Sequence, residues 1–344
     1  MNTVEIHASC QYPVHIGSGL MAQIADEIQR RTKAEKVCIV SDSNVWPLYG
    51  EMVEKQIISC GLHVINFVFS AGENSKNLST YSNLMQYLAA NQLSRADCIV
   101  ALGGGVVGDL SGFAAATYLR GIPYIQMPTT LLAMVDSSVG GKTGIDLEQG
   151  KNLVGAFYQP TVVLCDTDTL DTLPENIFRD GCAEVIKYGI LFDKELFAHL
   201  EDRGIAFDRE AVIARCVELK KIAVEADEFD QGQRMLLNLG HTIGHAIEKY
   251  SNYTISHGQA VSIGMAIVCR SCECSDTNRI LALLDKFDLP IATVYSAEDL
   301  EKSAVSDKKR SGKLVNLIIP GSIGNCAIVP TDTDKLKAFI EKGL

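Results

Sequence analysis

The sequence predicts an α/β fold, with a first domain built on a parallel sheet and a second domain that is mainly helical. Three observations predict it. Short apolar runs at 36–40, 63–69, 97–102, 122–127 and 162–165 alternate with helical patterns, the signature of strands buried on both faces. After Cys165 the texture changes, and residues 175–285 carry long helical patterns with few strand-like runs. The length, 344 residues, suits two domains of roughly 150 residues each. The expected domains are 1–168 and 169–344.

Taken in order, residues 1–35 hold an initial strand, a Gly17-Ser-Gly19 turn and an amphipathic helix. The buried strand at 36–40 leads into Ser41-Asp-Ser-Asn44, and a strand at 63–69 leads into Ala71-Gly-Glu-Asn-Ser-Lys76. By its residues alone, the latter is a solvated turn. A helix follows at 78–91, then the strand at 97–102. That strand runs into Gly103-Gly-Gly-Val-Val-Gly-Asp109, where Gly103, Gly105 and Gly108 fit G-x-G-x-x-G. Such glycines let backbone approach a pyrophosphate at a helix N-terminus, and the first domain is accordingly Rossmann-like. A glycine turn used only for packing is the alternative.

The usual fingerprint places a ribose-binding acid about 20 residues after the glycines. Met127-Pro128 stands there, so the upstream Asp42, with Asn44, is the candidate. A carboxylate at that place favours NAD over NADP. The competing reading is that Asp42 and Asn44 cap a turn. Pro128-Thr-Thr130, Asp136-Ser-Ser-Val-Gly-Gly-Lys-Thr143 and Gly150-Lys-Asn152 set lysines among glycines, which suits several anionic oxygens at once. A P-loop is excluded, because the residue five before Gly141 is Asp136 rather than glycine. Runs at 314–320 and 325–330 predict a hairpin across Gly321-Ser-Ile-Gly324.

Composition excludes other classes. The formal net charge is −11, so a nucleic-acid-binding face is disfavoured. No apolar run reaches the roughly 18 residues of a membrane span. Met1-Asn-Thr-Val-Glu-Ile6 lacks the basic segment and apolar core of a signal peptide, so a cytoplasmic location is expected. Most of the eleven cysteines, such as Cys38, Cys98 and Cys165, sit in apolar runs and read as reduced core residues. Cys269, Cys272 and Cys274 have no second pair at zinc-finger spacing.

In the second half, His241, His245 and His257 cluster. His241 and His245 share a helix face at i, i+4, and Glu184 and Lys187 share one at i, i+3. A carboxylate and two histidines with an open position would make a catalytic metal site. Spacing alone selects His241 and His245 as the histidine pair. Satisfied polar residues on a helix are the alternative.

The glycine run, with Tyr118-Leu-Arg-Gly121, Pro128-Thr-Thr-Leu-Leu-Ala133, Val135-Asp-Ser-Ser-Val-Gly-Gly-Lys-Thr143, Gly150-Lys-Asn152 and Arg234-Met-Leu-Leu-Asn-Leu-Gly-His-Thr-Ile-Gly-His245, closely resembles the 3-dehydroquinate synthase family of NAD-dependent sugar-phosphate cyclases. The resemblance runs to about residue 309 and implies a dehydroquinate synthase-like fold. It implies 3-deoxy-D-arabino-heptulosonate 7-phosphate as substrate and 3-dehydroquinate and phosphate as products. The route would be transient oxidation, phosphate elimination, reduction and aldol closure.

The resemblance also assigns residues. NAD would contact Asp42, Asn44, Glu73, Lys76, Gly103, Gly104, Gly105, Asp109, Thr129, Thr130, Asp136, Lys142 and Lys151. One divalent ion, zinc or cobalt, would be held by Glu184, His241 and His257, which displaces His245 from the spacing-based pair. His245 would instead face the substrate phosphate with Lys142, Asn152 and Asn238. Lys308 would add a charge there, with Lys309 not separable from it. Arg120 would reach the phosphate from a partner subunit, which implies a homodimer. Asp136 and Lys187 would meet ring hydroxyls. Arg234, by its fork, and Lys220, as a point charge, would clamp the carboxylate. That clamp separates this reading from cyclases of uncarboxylated sugar phosphates. An iron- or zinc-dependent alcohol dehydrogenase, the next alternative, needs no phosphate pocket. A plain binding protein leaves the coexistence of these motifs unexplained.

Overall fold

A computed structural model of the chain describes residues 1–308 and 314–344, with the side chains of 305–308 outside that description. The chain forms two compact units. The first comprises Met1–Leu173 and Arg209–Phe229, and the second Pro174–Asp208 and Asp230–Leu344.

The first unit is built on strands β1 (Asn2–His7), β2 (Gln11–Gly17), β3 (Lys36–Asp42), β4 (His63–Phe69), β5 (Cys98–Gly103), β6 (Tyr124–Pro128), β7 (Lys142–Leu147), β8 (Gly150–Phe157) and β9 (Val162–Asp166). Seven of them make one sheet in the order β1-β2-β9-β6-β5-β3-β4. All neighbours from β2 to β4 pair in parallel, and β1 is antiparallel to β2. Every residue of β5 is buried, as expected of a parallel strand covered on both faces. Helices cover those faces: Val37, Ile39, Val100 and Leu102 share one core with Ile24, Ile28, Val53 and Ile57. Cys38, Val40, Ile99 and Ala101 share the other with Leu84, Leu88, Leu110 and Ala114.

The structure differs from the sequence reading in three places. The single initial strand is two strands, β1 and β2, turned back on each other. The lysine- and glycine-bearing stretch after Gly141 is an antiparallel hairpin, β7 with β8. Glycine and lysine are poor strand formers, which hides it from propensity. Helix Arg209–Ala226, expected within 169–344, belongs to the first unit. Its apolar face includes Val212, Ile213, Cys216 and Val217. In its last turn Glu225 accepts from the His7 N–H at 2.7 Å, and just beyond it Glu228 accepts from the Ser9 N–H at 2.8 Å. Helical periodicity shows that a face is buried, not which core it joins.

The second unit packs helices Glu175–Phe192, Lys194–Arg203, His241–Tyr250, His257–Ser271, Thr277–Lys286, Ala297–Lys308 and Thr333–Gly343 with an antiparallel hairpin, β10 (Leu314–Ser322) and β11 (Asn325–Asp332). Helix Glu175–Phe192 is buried continuously from Gly181 to Leu191, and helix His257–Ser271 nearly all round. They are the inner helices of this unit. Among the described residues, no helix is long and apolar enough to cross a membrane.

Candidate active site

In the first unit the candidate cofactor residues lie where the parallel strands end. β5 ends at Gly103, and helix Gly105–Thr117 starts two residues later. A Cβ on Gly103 would meet the Val107 side chain at 2.5 Å, and one on Gly108 would meet Gln126 at 2.7 Å. These glycines therefore let the helix lie directly on the sheet, with its N-terminus at the strand end, where an anion is favoured. The Thr129 N–H donates to Gly103 O at 3.0 Å, and the Thr130 hydroxyl accepts from the Ala133 N–H at 3.2 Å. β3 pairs beside β5, with Ser41 opposite Leu102, so Asp42 ends the neighbouring strand. Its Oδ1 accepts from the N–H of Asn44 at 2.8 Å and of Val45 at 3.0 Å, the turn-capping role that sequence reading weighed against ribose binding. Asn44 is exposed.

Lys76 is buried, and its ammonium lies 2.7 Å from Asp109, 3.8 Å from Glu73 and 4.0 Å from Asp146. Lys151 lies 3.4 Å from Glu73. Burial alone would lower the Lys76 pKa, but the three carboxylates raise it, so the lysine stays charged. Sequence reading missed Asp146. It ties β7 to the Glu73–Lys76 turn, because its N–H donates to Lys76 O at 2.8 Å. Its side chain accepts from the N–H of Asn152 at 2.7 Å, where Asn152 has φ 54°. In the same unit Lys220 Nζ lies 2.9 Å from Asp136 Oδ1. Lys142 is exposed at the start of β7. Arg120 is exposed too, and its φ of 69° follows a φ of 49° at Leu119.

In the second unit, Glu184, His241 and His257 converge although they are far apart in sequence. Glu184 Oε1 lies 3.3 Å from His241 Nε2 and 3.2 Å from His257 Nε2, and the carboxylate is fully buried. Its other oxygen meets the ammonium of Lys187, also buried, one turn along the same helix. Burial alone would raise the Glu184 pKa, but Lys187 and the two histidines hold it well below the usual carboxylate range. Burial would likewise lower the His257 pKa, but hydrogen bonds to Glu184 and Glu248 raise it to about 10.

Local structure explains the convergence. Gly240, at φ 77°, turns the chain into helix His241–Tyr250 at its first residue. His257 opens the next helix behind a Ser256/Gln259 capping box. That helix start is fastened to helix Glu175–Phe192 by Asp180, which accepts from Ser256 Oγ at 2.5 Å and the Gln259 N–H at 3.0 Å.

The chemistry of the donors fits a divalent cation. An anionic oxygen and two imidazole Nε2 atoms face one point, each within 4.8 Å of the others. Both rings are held from behind: His241 Nδ1 lies 3.0 Å from Leu239 O, and His257 Nδ1 lies 3.4 Å from Glu248 Oε2. A second group, His245, Glu248 and His257, is similarly close, but the His245 side chain is 52% exposed. Glu248 is the residue that sequence reading missed on this side. The available signal was its i, i+7 spacing from His241, two turns along one helix face.

Beside this cluster is a cavity of about 330 Å³, lined by residues that include Asn238, His241, His245, Ser303, Leu314 and Asn316. The structure thus brings Asn238 and His245 to one cavity with a candidate metal ligand. Arg234 is buried on the short helix Gln233–Asn238. The Lys308 side chain, and Lys309, lie outside the described residues.

The parallel sheet and the helical unit with its Glu/His/His group together give the fold seen in sugar-phosphate cyclases. The structure superposes on 2-deoxy-scyllo-inosose synthase, solved with carbaglucose-6-phosphate, NAD+ and Co2+, with TM-score 0.90 at 27% identity and full coverage of both chains. It superposes on the 2-epi-5-epi-valiolone synthase of Streptomyces hygroscopicus, solved with NAD+ and Zn2+, with TM-score 0.88 at 26% identity over 98% of each. An iron-containing alcohol dehydrogenase shares the fold at TM-score 0.70 and 16% identity over 96% of each chain. Residues 66–180 match the family described as 3-dehydroquinate synthase N-terminal, and 181–310 the one described as 3-dehydroquinate synthase C-terminal. The 3-dehydroquinate synthase of Clostridium acetobutylicum is 43% identical over 99% of both chains, and that of Pelobacter propionicus 44% identical over 94% of both. The chain belongs to the 3-dehydroquinate synthase family.

Proposed function

We infer that this chain is a carbon–oxygen lyase, converting 3-deoxy-D-arabino-heptulosonate 7-phosphate to 3-dehydroquinate and phosphate, the second step of the shikimate route to aromatic amino acids. The observation that carries the reading is the family match along both halves of the chain at 40–44% identity. The other cyclases are only 26–27% identical. The reading includes NAD and one divalent ion, zinc or cobalt, as cofactors. When bound, these supply a hydride acceptor and donor, and a charge that acidifies a substrate hydroxyl.

The chain's own residues do the rest by positioning and charge. Glu184, His241 and His257 hold the ion. Lys187 neutralises the outer oxygen of Glu184 and has ammonium protons for a ring hydroxyl. Asn238 and His245 offer hydrogen bonds to a phosphate, a role shared with Lys142 and Asn152. Arg234 and Lys220 take the carboxylate. Lys220 already holds Asp136, so that carboxylate is oriented before substrate arrives. At the end of β5, the glycine turn and the start of helix Gly105–Thr117 take the pyrophosphate. Asp42 takes the ribose, and Glu73, Lys76, Asp109, Thr129, Thr130 and Lys151 shape the rest of the cofactor site. We also propose a homodimer in the cytoplasm, with Arg120 exposed on a strained turn and available to a partner's phosphate site.

Phosphate release from the heptulosonate phosphate tests the reading, with and without NAD and a chelator. The expected result is release that needs both NAD and metal, without net accumulation of NADH. Stoichiometric NADH would point to a dehydrogenase instead.

A further inference from the structure

We propose that Glu248 is a positioning residue for the metal centre: it grips His257 at Nδ1 and so presents Nε2 to Glu184 and the ion. This rests on the metal assignment above. Glu248 lies two turns beyond His241 on the same helix, and its side chain is only 3% exposed. Its Oε2 stands 3.4 Å from His257 Nδ1, on the opposite side of the ring from Glu184 Oε1, which stands 3.2 Å from Nε2. A neutral imidazole has one N–H and one lone pair. In the metal-bound centre the ring is neutral, and with its N–H turned to Glu248 the Nε2 lone pair would face the ion at the point shared with Glu184.

His241 is held in the same manner by a backbone carbonyl, but His257 opens its helix and takes a carboxylate instead. A carboxylate behind an imidazole fixes its tautomer and rotation and makes it a more basic ligand. The rival arrangement makes Glu248 itself a ligand, with His245 and His257 Nδ1. It would use an exposed histidine and turn the bare nitrogen of His257 away from the buried Glu184.

The test uses the full chain, with zinc affinity measured by chelator competition and cobalt absorption as a spectroscopic readout. Glu248→Leu is expected to weaken zinc by roughly 10- to 100-fold and to shift the cobalt bands, the usual effect of losing such an outer partner. Glu248→Gln keeps an acceptor of the same shape and should restore most of the affinity. NAD affinity should hold in both. A Glu248→Leu protein with wild-type NAD affinity, zinc affinity and cobalt spectrum overturns the proposal.

His257→Ala is the separating arm. If it loses zinc while Glu248→Leu does not, only the positioning role falls; if it retains wild-type zinc affinity, the ligand assignment itself falls. Should Glu248→Leu not fold, ¹⁵N-histidine spectra of the zinc-loaded wild type decide. The proton is expected on Nδ1 of His257 and the metal on Nε2, and the reverse overturns the proposal.

Discussion

Lys187 reaches one carboxylate oxygen of Glu184 from the next turn of the same helix, and both side chains are buried. The pairing leaves the other oxygen of Glu184 to the two histidines. Removing one partner of a buried ion pair strands the other, at a cost of about 3–5 kcal/mol. Lys187→Met should therefore destabilise the metal-free protein by about that amount, and less with zinc bound, because the ion then compensates Glu184. Denaturant unfolding with and without zinc checks this, and equal losses in both states would contradict it.

The ligand trio predicts metal content directly. His257→Ala removes one of three converging donors, and the purified protein should show lost or much weakened zinc occupancy. Full occupancy with full activity would sink the assignment.

At the cofactor end, charge and capping can be separated. Asp42 Oδ1 caps the turn at Asn44 and Val45. Asp42→Asn keeps an acceptor for those N–H groups while removing the charge that repels a 2′-phosphate. Use of NADP is expected to rise relative to NAD, with thermal stability nearly unchanged. An unaltered preference would take Asp42 out of ribose recognition.

Arg234 predicts a kinetic signature. Losing one charge-assisted contact costs roughly 1.5–3 kcal/mol, about ten- to more than a hundred-fold in affinity. Arg234→Met should lower kcat/KM for the heptulosonate phosphate accordingly, with zinc content and NAD affinity intact. It should also discriminate less than wild type against a substrate analogue with a neutral group in place of the carboxylate. Undiminished discrimination would mean that Arg234 does not read the carboxylate.

Asp97 predicts a pH dependence of stability. This buried carboxylate accepts from the N–H of Ser94 at 2.6 Å, Lys36 at 2.8 Å and Glu35 at 3.2 Å, tying the starts of β3 and β5. Burial alone would raise its pKa, but these hydrogen bonds hold it below the usual value. A lowered folded-state pKa gives stability that is present above the unfolded value, near pH 4, and is lost as pH falls through the folded one. Asp97→Asn should cost about 1–3 kcal/mol at pH 7 and progressively less below about pH 4. A cost independent of pH in urea titrations would rule out the charged role.

Local pattern determined a good deal by itself. Continuous apolar runs marked β3, β5, β6 and β9, because strands buried on both faces need no alternation, and also β4, which lies at the sheet edge and is only partly buried. Gly103 and Gly108 marked the strand-to-helix turn, because a Cβ at either place meets Val107 or Gln126. The motif around His241 marked a histidine cluster in the second unit, and periodicity alone pairs His241 with His245. His241 and His245 share a helix face, whereas the nitrogen that joins His241 at Glu184 comes from His257 at the start of another helix. Only the tertiary structure could decide that, since spacing along one helix cannot report where two helices meet. It also decided that helix Arg209–Ala226 serves the first unit, that β7 and β8 form a hairpin over Lys76, and that Glu248 stands behind His257. Each depends on partners distant along the chain, and local periodicity records that a face is buried without recording against what.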